Sequence, residues 1–417
     1  MPQVQTYEHM RRYLWTVLGQ GGLRNDPDLA ETVLTALQSP REELIPRVFN
    51  LVRIQHIELN QTEPEEAKGP LFKEPGPGVL KGEIFLGNTV PSGHPVHLPL
   101  KSFGQLGHIL IAGVIGSGKS TILNLISAQL MIQEIVTTVY DTLDQAARAL
   151  VPVVPEQKLN VLDFRSYRRN FLIGPESMSQ MDWMRQSFGH LMESLEMSPV
   201  TMNYLLELCQ KIVSQGKVAT IPRVIELAQK SESRSQSARA LLNRFLPLVM
   251  SGAETFRCER GIDLERLFSR SCILNIKDAP QMIRTLVYND HYSYLTKSRE
   301  VLNDWRLNNV FVFHEAGTLM ASVGDSFLTM IREARNYGIG LVFADQAPQL
   351  QHPSVRSTLG TKGLLRLEDP ASLEGFRVGM DLGEEQRNFI LNMPNRCMLL
   401  RRPDIGFPFL VQIATLS

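Results

Sequence analysis

Nine consecutive residues, Gly113-Val114-Ile115-Gly116-Ser117-Gly118-Lys119-Ser120-Thr121, constrain the fold of this chain more than any others. Two glycines with four residues between them, followed by Lys and Ser, define a loop that wraps its backbone N–H groups around a phosphate. The motif works only between a strand and a helix, and its flanks read as both. His108-Ile109-Leu110-Ile111-Ala112 is a short apolar, β-branched run that reads as a buried strand, and Ile122 to Met131 has the apolar periodicity of a helix. In that setting Gly113, Gly116, Ser117 and Gly118 form the cradle and the helix N-terminus, with Lys119, Ser120 and Thr121, adds partial positive charge. Lys119 is placed to reach the β- and γ-phosphates and Ser120 to ligate Mg²⁺. A glycine-rich turn between two core elements would not need Lys-Ser-Thr here.

The rest of the 417-residue chain is long enough for two or three domains, and its 43% apolar and 21% charged residues are ordinary for a globular protein. The formal charge of +0 argues against wholesale nucleic-acid binding, so any such surface must be local. Cys209, Cys258, Cys272 and Cys397 lack metal-ligand spacing and read as reduced thiols of a cytoplasmic protein. Residues 1–20 carry charges and have no uninterrupted apolar core, so they do not read as a signal peptide. No segment reaches the ~18 apolar residues of a membrane span, and no membrane insertion is expected.

In chain order, residues 1–61 read as a small helical region, with apolar stripes at Tyr13, Leu14, Val17 and Leu18, at Leu29, Val33, Leu34 and Leu37, and at Leu44, Val48, Leu51 and Val52. Thr62 to Gly78, rich in Pro, Glu and Gly, reads as a linker. Residues 79–417 read as an α/β domain, a sheet with helices on both faces. It begins with a hairpin (Gly82 to Gly87, Pro95 to Leu100). The phosphate-loop strand follows, and then strands at Ile135 to Tyr140, Leu159 to Phe164, Cys272 to Ile276, Val310 to Phe313, Gly340 to Ala344, Gly363 to Leu367 and Cys397 to Leu400. Alternation with helices, including Ala279 to Lys297 and Gly324 to Tyr337, implies parallel pairing. Residues 177–249 lack strand signals and read as an all-helical insertion. Within it the run Lys230 to Arg239 is a solvated face or a DNA-facing loop.

A hydrolytic P-loop protein needs an acidic residue at an adjacent strand end and a group that orients water. Asn309-Val310-Phe311-Val312-Phe313-His314-Glu315-Ala316 puts Glu315 where the base would stand. His314 occupies the place of the usual Asp. A neutral imidazole accepts a hydrogen bond but brings no negative charge, so Mg²⁺ should be held more weakly. A satisfied histidine at a strand end and a tuned turnover remain alternative readings of that residue. Gln346, after Phe343-Ala344-Asp345, is placed to sense a γ-phosphate. Arg332 and Arg335 lie three apart on one helix, where guanidinium groups can stabilise transferring phosphoryl charge.

Residues 80–417 resemble the HerA/FtsK branch of RecA-like motor ATPases, which includes the coupling and secretion ATPases of conjugation. The resemblance rests on Gly107 to Gly113 running into the phosphate loop, Val139-Tyr140-Asp141 with Asp144, Leu162-Asp163-Phe164 with Asn170, and the Glu315 strand. Its most specific part is Arg332-Glu333-Ala334-Arg335-Asn336-Tyr337-Gly338-Ile339-Gly340-Leu341-Val342-Phe343-Ala344-Asp345-Gln346-Ala347-Pro348, and Gly360-Thr361-Lys362 with Arg366-Leu367 is similar to the family's closing strands. It implies a homohexameric ring that uses ATP and Mg²⁺ to move DNA, expected to be duplex, through a central pore. It also implies Glu315 as catalytic carboxylate, Gln346 as sensor and Arg332 or Arg335 as finger or sensor arginine.

Four features depart from the pattern: His314, helices at the N-terminus in place of a small β-barrel, little C-terminal arm after the last strand, and no membrane helices. The expectation is a ring-forming DNA translocase or helicase-like motor, docked through its N-terminal helices to a nuclease or other effector. The alternatives are an ATP-binding scaffold with slow or no hydrolysis, and the soluble motor of a secretion or conjugation complex.

Overall fold

The computed structural model describes residues 2–19, 27–39, 43–49, 51–52, 71–100, 108–231, 235–251, 254–302, 306–317, 325–346, 358–380 and 382–416. Expectations placed on Gly107, Gly324, Ala347, Pro348, most of the Thr62 to Gly78 stretch and part of the Lys230 to Arg239 run lie outside these residues.

Eleven strands occur in chain order: β1 (Ile84–Thr89), β2 (Pro95–Leu98), β3 (Ile109–Ala112), β4 (Val136–Asp141), β5 (Leu159–Asp163), β6 (Ser271–Asn275), β7 (Asn309–Phe313), β8 (Ile339–Asp345), β9 (Thr361–Leu364), β10 (Cys397–Arg401) and β11 (Phe409–Ile413). The chain divides into two compact units, Met1–Gln129 with Val342–Ser417, and Leu130–Leu341.

The first unit opens with helices α1 (Pro2–Gly19) and α2 (Pro27–Gln38), and residues 44–49 are also helical. Their stripes meet in a small core of their own, where Leu14, Val17, Val33, Ile45 and Val52 are fully buried. Tyr13 adds an edge-to-face contact with Phe49 at 4.9 Å. Residues 71–76 are docked and lead into a 3₁₀ turn at Pro77–Val79. Phe72 is buried against Phe389 at 5.5 Å, and Glu74 accepts hydrogen bonds from Thr89 and Ser92.

Strands in this unit run in the order β2-β1-β11-β10-β9-β3-β8. β3 is parallel to both neighbours, Ile109 lying opposite Thr361 and opposite Val342. The pairings from β9 to β2 are antiparallel. The parallel expectation therefore describes the strands around β3 but not this rim. β11 lies outside the strands read from the sequence, and β9 starts two residues before its expected position. Helix α3 (Lys119–Ile132) follows the phosphate loop, and α4 (Glu384–Leu391) precedes β10. Trp15 of α1 lies 6.2 Å from Phe389 of α4, and Arg11 donates to the Pro91 carbonyl at 3.0 Å.

The second unit holds the parallel order β7-β4-β6-β5. All five residues of β7 are buried, whereas β5 alternates, as an edge strand with one wet face does. Helices at Gln180–Gln186, Phe188–Ser194, Pro199–Ser214, Ile221–Gln229 and Gln236–Ser251 follow one another without a strand. Three of them begin at a hydroxyl cap, as Ser179, Ser198 and Thr220 accept from Asp182, Thr201 and Arg223 N–H groups. Asn170 ties this helical region to the sheet side of the unit, donating to the Ala219 carbonyl at 3.0 Å and the Glu259 carbonyl at 2.9 Å. No helix among the described residues is long and apolar enough to cross a membrane.

Candidate functional site

β3 is buried at all four positions, so the chain emerges from the sheet at a fixed point. There the Gly113 N–H donates to the Asp345 carbonyl at 3.1 Å and the Val114 N–H to the Arg366 carbonyl at 2.9 Å. The two strands flanking β3 thus pin the first residues of the loop. A Cβ on Gly113 would stand 2.7 Å from both the Leu365 Cβ and the Ser117 hydroxyl. Gly116 and Gly118 have φ of 77° and 114°, the left-handed region where a side chain is strained. These glycines let the loop turn its N–H groups toward one point. The Ser117 hydroxyl closes the turn by donating to the Val114 carbonyl at 2.7 Å.

Helix α3 starts at Lys119, so Lys119, Ser120 and Thr121 form its first turn, where backbone N–H groups have no intrahelical acceptor. The Lys119 ammonium is buried and donates to the Gly113 carbonyl at 2.6 Å and the Val114 carbonyl at 2.8 Å. It spans the mouth of the loop, and an arriving phosphate exchanges neutral acceptors for a charged one. Ser120 and Thr121 are half-buried beside it. Asp345 is buried at the end of β8 and Gln346, half-buried, follows directly, so Gln346 adjoins the strand end that holds Gly113.

The loop opens onto a cavity of about 570 Å³ within the same unit. Gly116, Gly118 and Thr121 form one wall, and the other walls come from α1, α2, Arg366 and the stretch Leu391 to Arg396. That volume lies in the range of small-ligand sites. Arg396 donates its N–H to the Ser117 carbonyl at 3.0 Å, with φ of 61°. The Arg366 Nε is buried without a hydrogen-bond partner among the described residues. Neither cation was read as a site residue from the sequence, Arg366 being noted only for its likeness to a closing strand, because nothing near either residue in the chain signals proximity to the loop.

In the second unit, β7 ends at Phe313, and His314 and Glu315 follow directly. The His314 ring is 2% exposed, and neither of its nitrogens has a hydrogen-bond partner among the described residues. Burial pushes its pKa down, opposed by the negative charge of Asp141, so the ring is neutral. Asp141, at the tip of the adjacent β4, accepts from the Leu143 N–H at 3.0 Å and the Ala146 N–H at 2.7 Å. The strand-tip carboxylate beside His314 therefore comes from β4, and it also holds the turn into the helix Ala146–Leu150. Glu315 is half-buried, its Oε2 3.5 Å from the Thr142 hydroxyl that donates to it. Arg332 lies in the last turn of the helix Asp325–Glu333 and Arg335 in the 3₁₀ turn Ala334–Tyr337, so the two arginines expected on one helix sit on adjoining elements, where the winding tightens after Glu333; both are exposed. Asp163 accepts from the Arg165 N–H in a local turn, and Asp144 accepts from the side-chain amide of Asn275 at the end of β6.

The donors of the first unit fit a phosphate with its magnesium, since the Ser120 hydroxyl lies in the first turn of α3 that follows directly on the glycine loop. No group of three or more His, Cys, Asp or Glu among the described residues is arranged to hold a metal alone. A Mg²⁺ held largely by phosphate and water does not require one.

No protein-family model matches the chain, and no curated protein matches it. Solved structures do. VirB4 of Thermoanaerobacter pseudethanolicus superposes with TM-score 0.62 at 14% identity, covering 81% of this chain and 97% of that one. The conjugative coupling protein TrwB, lacking its first 70 residues, gives TM-score 0.62 at 12% identity over 84% of this chain and 96% of its own. TrwB in complex with ADP and Mg²⁺ gives 0.60 at 13% identity over 82% and 92%. The fold is that of a RecA-like P-loop ATPase. β3 runs into the glycine loop, Gln346 directly follows the last residue of β8, and His314 and Glu315 directly follow the last residue of β7.

Proposed function

We infer that this chain is an ATP-driven motor of the conjugation or secretion type, binding ATP with Mg²⁺ in the cradle Gly113–Thr121. The observation that carries the reading is the cradle itself: left-handed Gly116 and Gly118, a buried Lys119 and the first turn of α3 stand together beside a cavity of about 570 Å³. The loop N–H groups and Lys119 hold the β- and γ-phosphates, and Ser120 supplies a metal ligand. Bound Mg²⁺ would neutralise charge on the phosphate oxygens. Glu315 orients and deprotonates the attacking water, Gln346 senses the γ-phosphate, and Arg332 or Arg335 acts across a subunit boundary of a homohexameric ring.

The likeness to VirB4 and to a coupling protein supports the conjugation or secretion motor over a HerA-like translocase partnered by a nuclease. DNA, most simply duplex, is the proposed substrate of movement, and a cytoplasmic setting with a protein partner on the N-terminal helices completes the proposal. His314 favours a second reading, a slow ATPase whose ring organises a partner, because a neutral buried ring beside Asp141 brings no charge to a metal.

ATP hydrolysis by the wild type, Lys119→Ala and Glu315→Gln, with and without duplex DNA under saturating Mg²⁺, tests these readings. Turnover that is lost in both variants and stimulated by DNA is expected for the motor. Wild-type turnover no faster than Lys119→Ala, with ATP still bound, selects the scaffold.

A further inference from the structure

We propose that α1 and α2 form the nucleoside-facing wall of the nucleotide site, so that base and ribose are recognised by the N-terminal helices while the loop holds the phosphates. This rests on the ATP reading of the cradle and adds a second recognition element to it.

Within the first unit, the cavity beyond Gly116, Gly118 and Thr121 is closed by Leu18 of α1 and by Ala30, Glu31 and Leu34 of α2. Leu18 and Leu34 are buried and Ala30 half-buried, which makes an apolar surface suited to the flat face of a base. Glu31 is exposed at the rim and is an acceptor for the N–H and O–H donors that a nucleoside carries and a bare polyphosphate lacks.

The helices are held in this place by contacts independent of any ligand. Trp15 packs on Phe389 of α4, Arg11 binds the Pro91 carbonyl, and α4 leads directly into Leu391 to Arg396, whose last residue bonds the Ser117 carbonyl. A continuous path of packed groups therefore runs from α1 to the loop. The cavity has an apolar wall, an acceptor at its rim and cations toward the phosphates, which is the order of groups along a nucleoside triphosphate.

Calorimetric titration of the full chain with ATP, and separately with tripolyphosphate, tests the proposal using Ala30→Gln, which places a neutral side chain in the cavity, and Glu31→Ala at an exposed position. The expected result is ATP affinity reduced at least fivefold in Ala30→Gln and measurably in Glu31→Ala, with tripolyphosphate affinity unchanged in both. ATP affinity unchanged in both variants, while Lys119→Ala abolishes it, overturns the nucleoside wall and leaves the ATP site standing. Equal loss of ATP and tripolyphosphate also overturns it, since the helices would then act on the loop and not on the nucleoside. Failure of the wild type to bind either ligand overturns the ATP reading itself.

Discussion

The backbone N–H of Arg396 donates to the carbonyl of Ser117 at 3.0 Å, joining the loop before β10 to the middle of the phosphate cradle. Arg396 holds φ of 61° to make this contact, a conformation that costs an L-residue roughly 1 kcal/mol. Its guanidinium-bearing side chain lines the cavity, with its Cγ 3.3 Å from where a Cβ on Gly118 would stand. Arg396→Gly should therefore separate two quantities. The backbone contact and the thermal midpoint should be kept or raised, while ATP affinity falls several-fold with the loss of the cation. A lower midpoint with unchanged affinity would show the side chain to be structural only.

Lys119 has a structural duty in addition to any ligand. Its ammonium is buried on the Gly113 and Val114 carbonyls, so Lys119→Met removes a charged donor from two loop acceptors. A loss of about 1–3 kcal/mol in nucleotide-free stability is expected. Denaturant unfolding of wild type and variant without nucleotide measures it, and equal midpoints would show that the loop does not depend on this side chain.

His314 should behave in the opposite way. Two ring nitrogens without partners, at 2% exposure, are a standing cost, and replacing them with an apolar side chain of similar bulk removes that cost. His314→Leu should gain about 1 kcal/mol of stability while changing the Mg²⁺ dependence of turnover. A destabilised variant would reveal a hydrogen-bonded ring.

His291 gives the second unit a pH dependence of definite sign. Its Nδ1 meets the Tyr140 hydroxyl at 2.9 Å and its Nε2 the Tyr167 hydroxyl at 2.7 Å, an arrangement a neutral imidazole satisfies by accepting at one nitrogen and donating at the other. Burial, helped by the positive charge of Arg169, pushes the pKa down to about 3. Between about pH 6.5 and that value the unfolded chain binds a proton that the folded chain refuses, so stability is lost as pH falls, by up to about 1.4 kcal/mol per pH unit. Above pH 6.5 the residue contributes no slope. Burial pushes His190 down to about 4, adding a slope of the same sign. His291→Phe should start about 2–4 kcal/mol lower at pH 8, since two buried hydroxyls lose their partner, and should fall less steeply toward pH 5. Parallel curves for the two proteins would place the titration elsewhere.

Sequence alone reached the α/β class through its alternating strands and helices, and the strand-loop-helix at β3 because every signal for it is local: a buried β-branched run, two glycines and an apolar period, all within some two dozen residues. It reached β4, β6, β7 and β8 for the same reason, each being a short apolar run with a polar tip. It reached the β1–β2 hairpin, whose two strands are neighbours in the chain, but not β11 nor the antiparallel pairings that join β9, β10, β11 and β1, because those depend on partners far apart in the chain or on a strand it did not read. Arg366 and Arg396 were illegible as cavity residues on the same ground. His314 was visible as an oddity, but its neighbour Asp141 lies on another strand, and only the β4–β7 pairing brings the two tips together. Asn170 and Asp163, quoted for their likeness to a family motif, were found holding carbonyls and turns.

The division of the chain between the two units has a consequence during synthesis. Residues 130–341 form one uninterrupted unit, whereas the other is assembled from Met1–Gln129 and Val342–Ser417. As the chain emerges from a ribosome, β3 and its loop wait with both flanking positions vacant until β8 and β9 have been made. The interrupting unit can fold meanwhile from contacts internal to itself. Any chain cut short before residue 339 lacks both strands that flank β3, and with them the carbonyls of Asp345 and Arg366 that hold Gly113 and Val114.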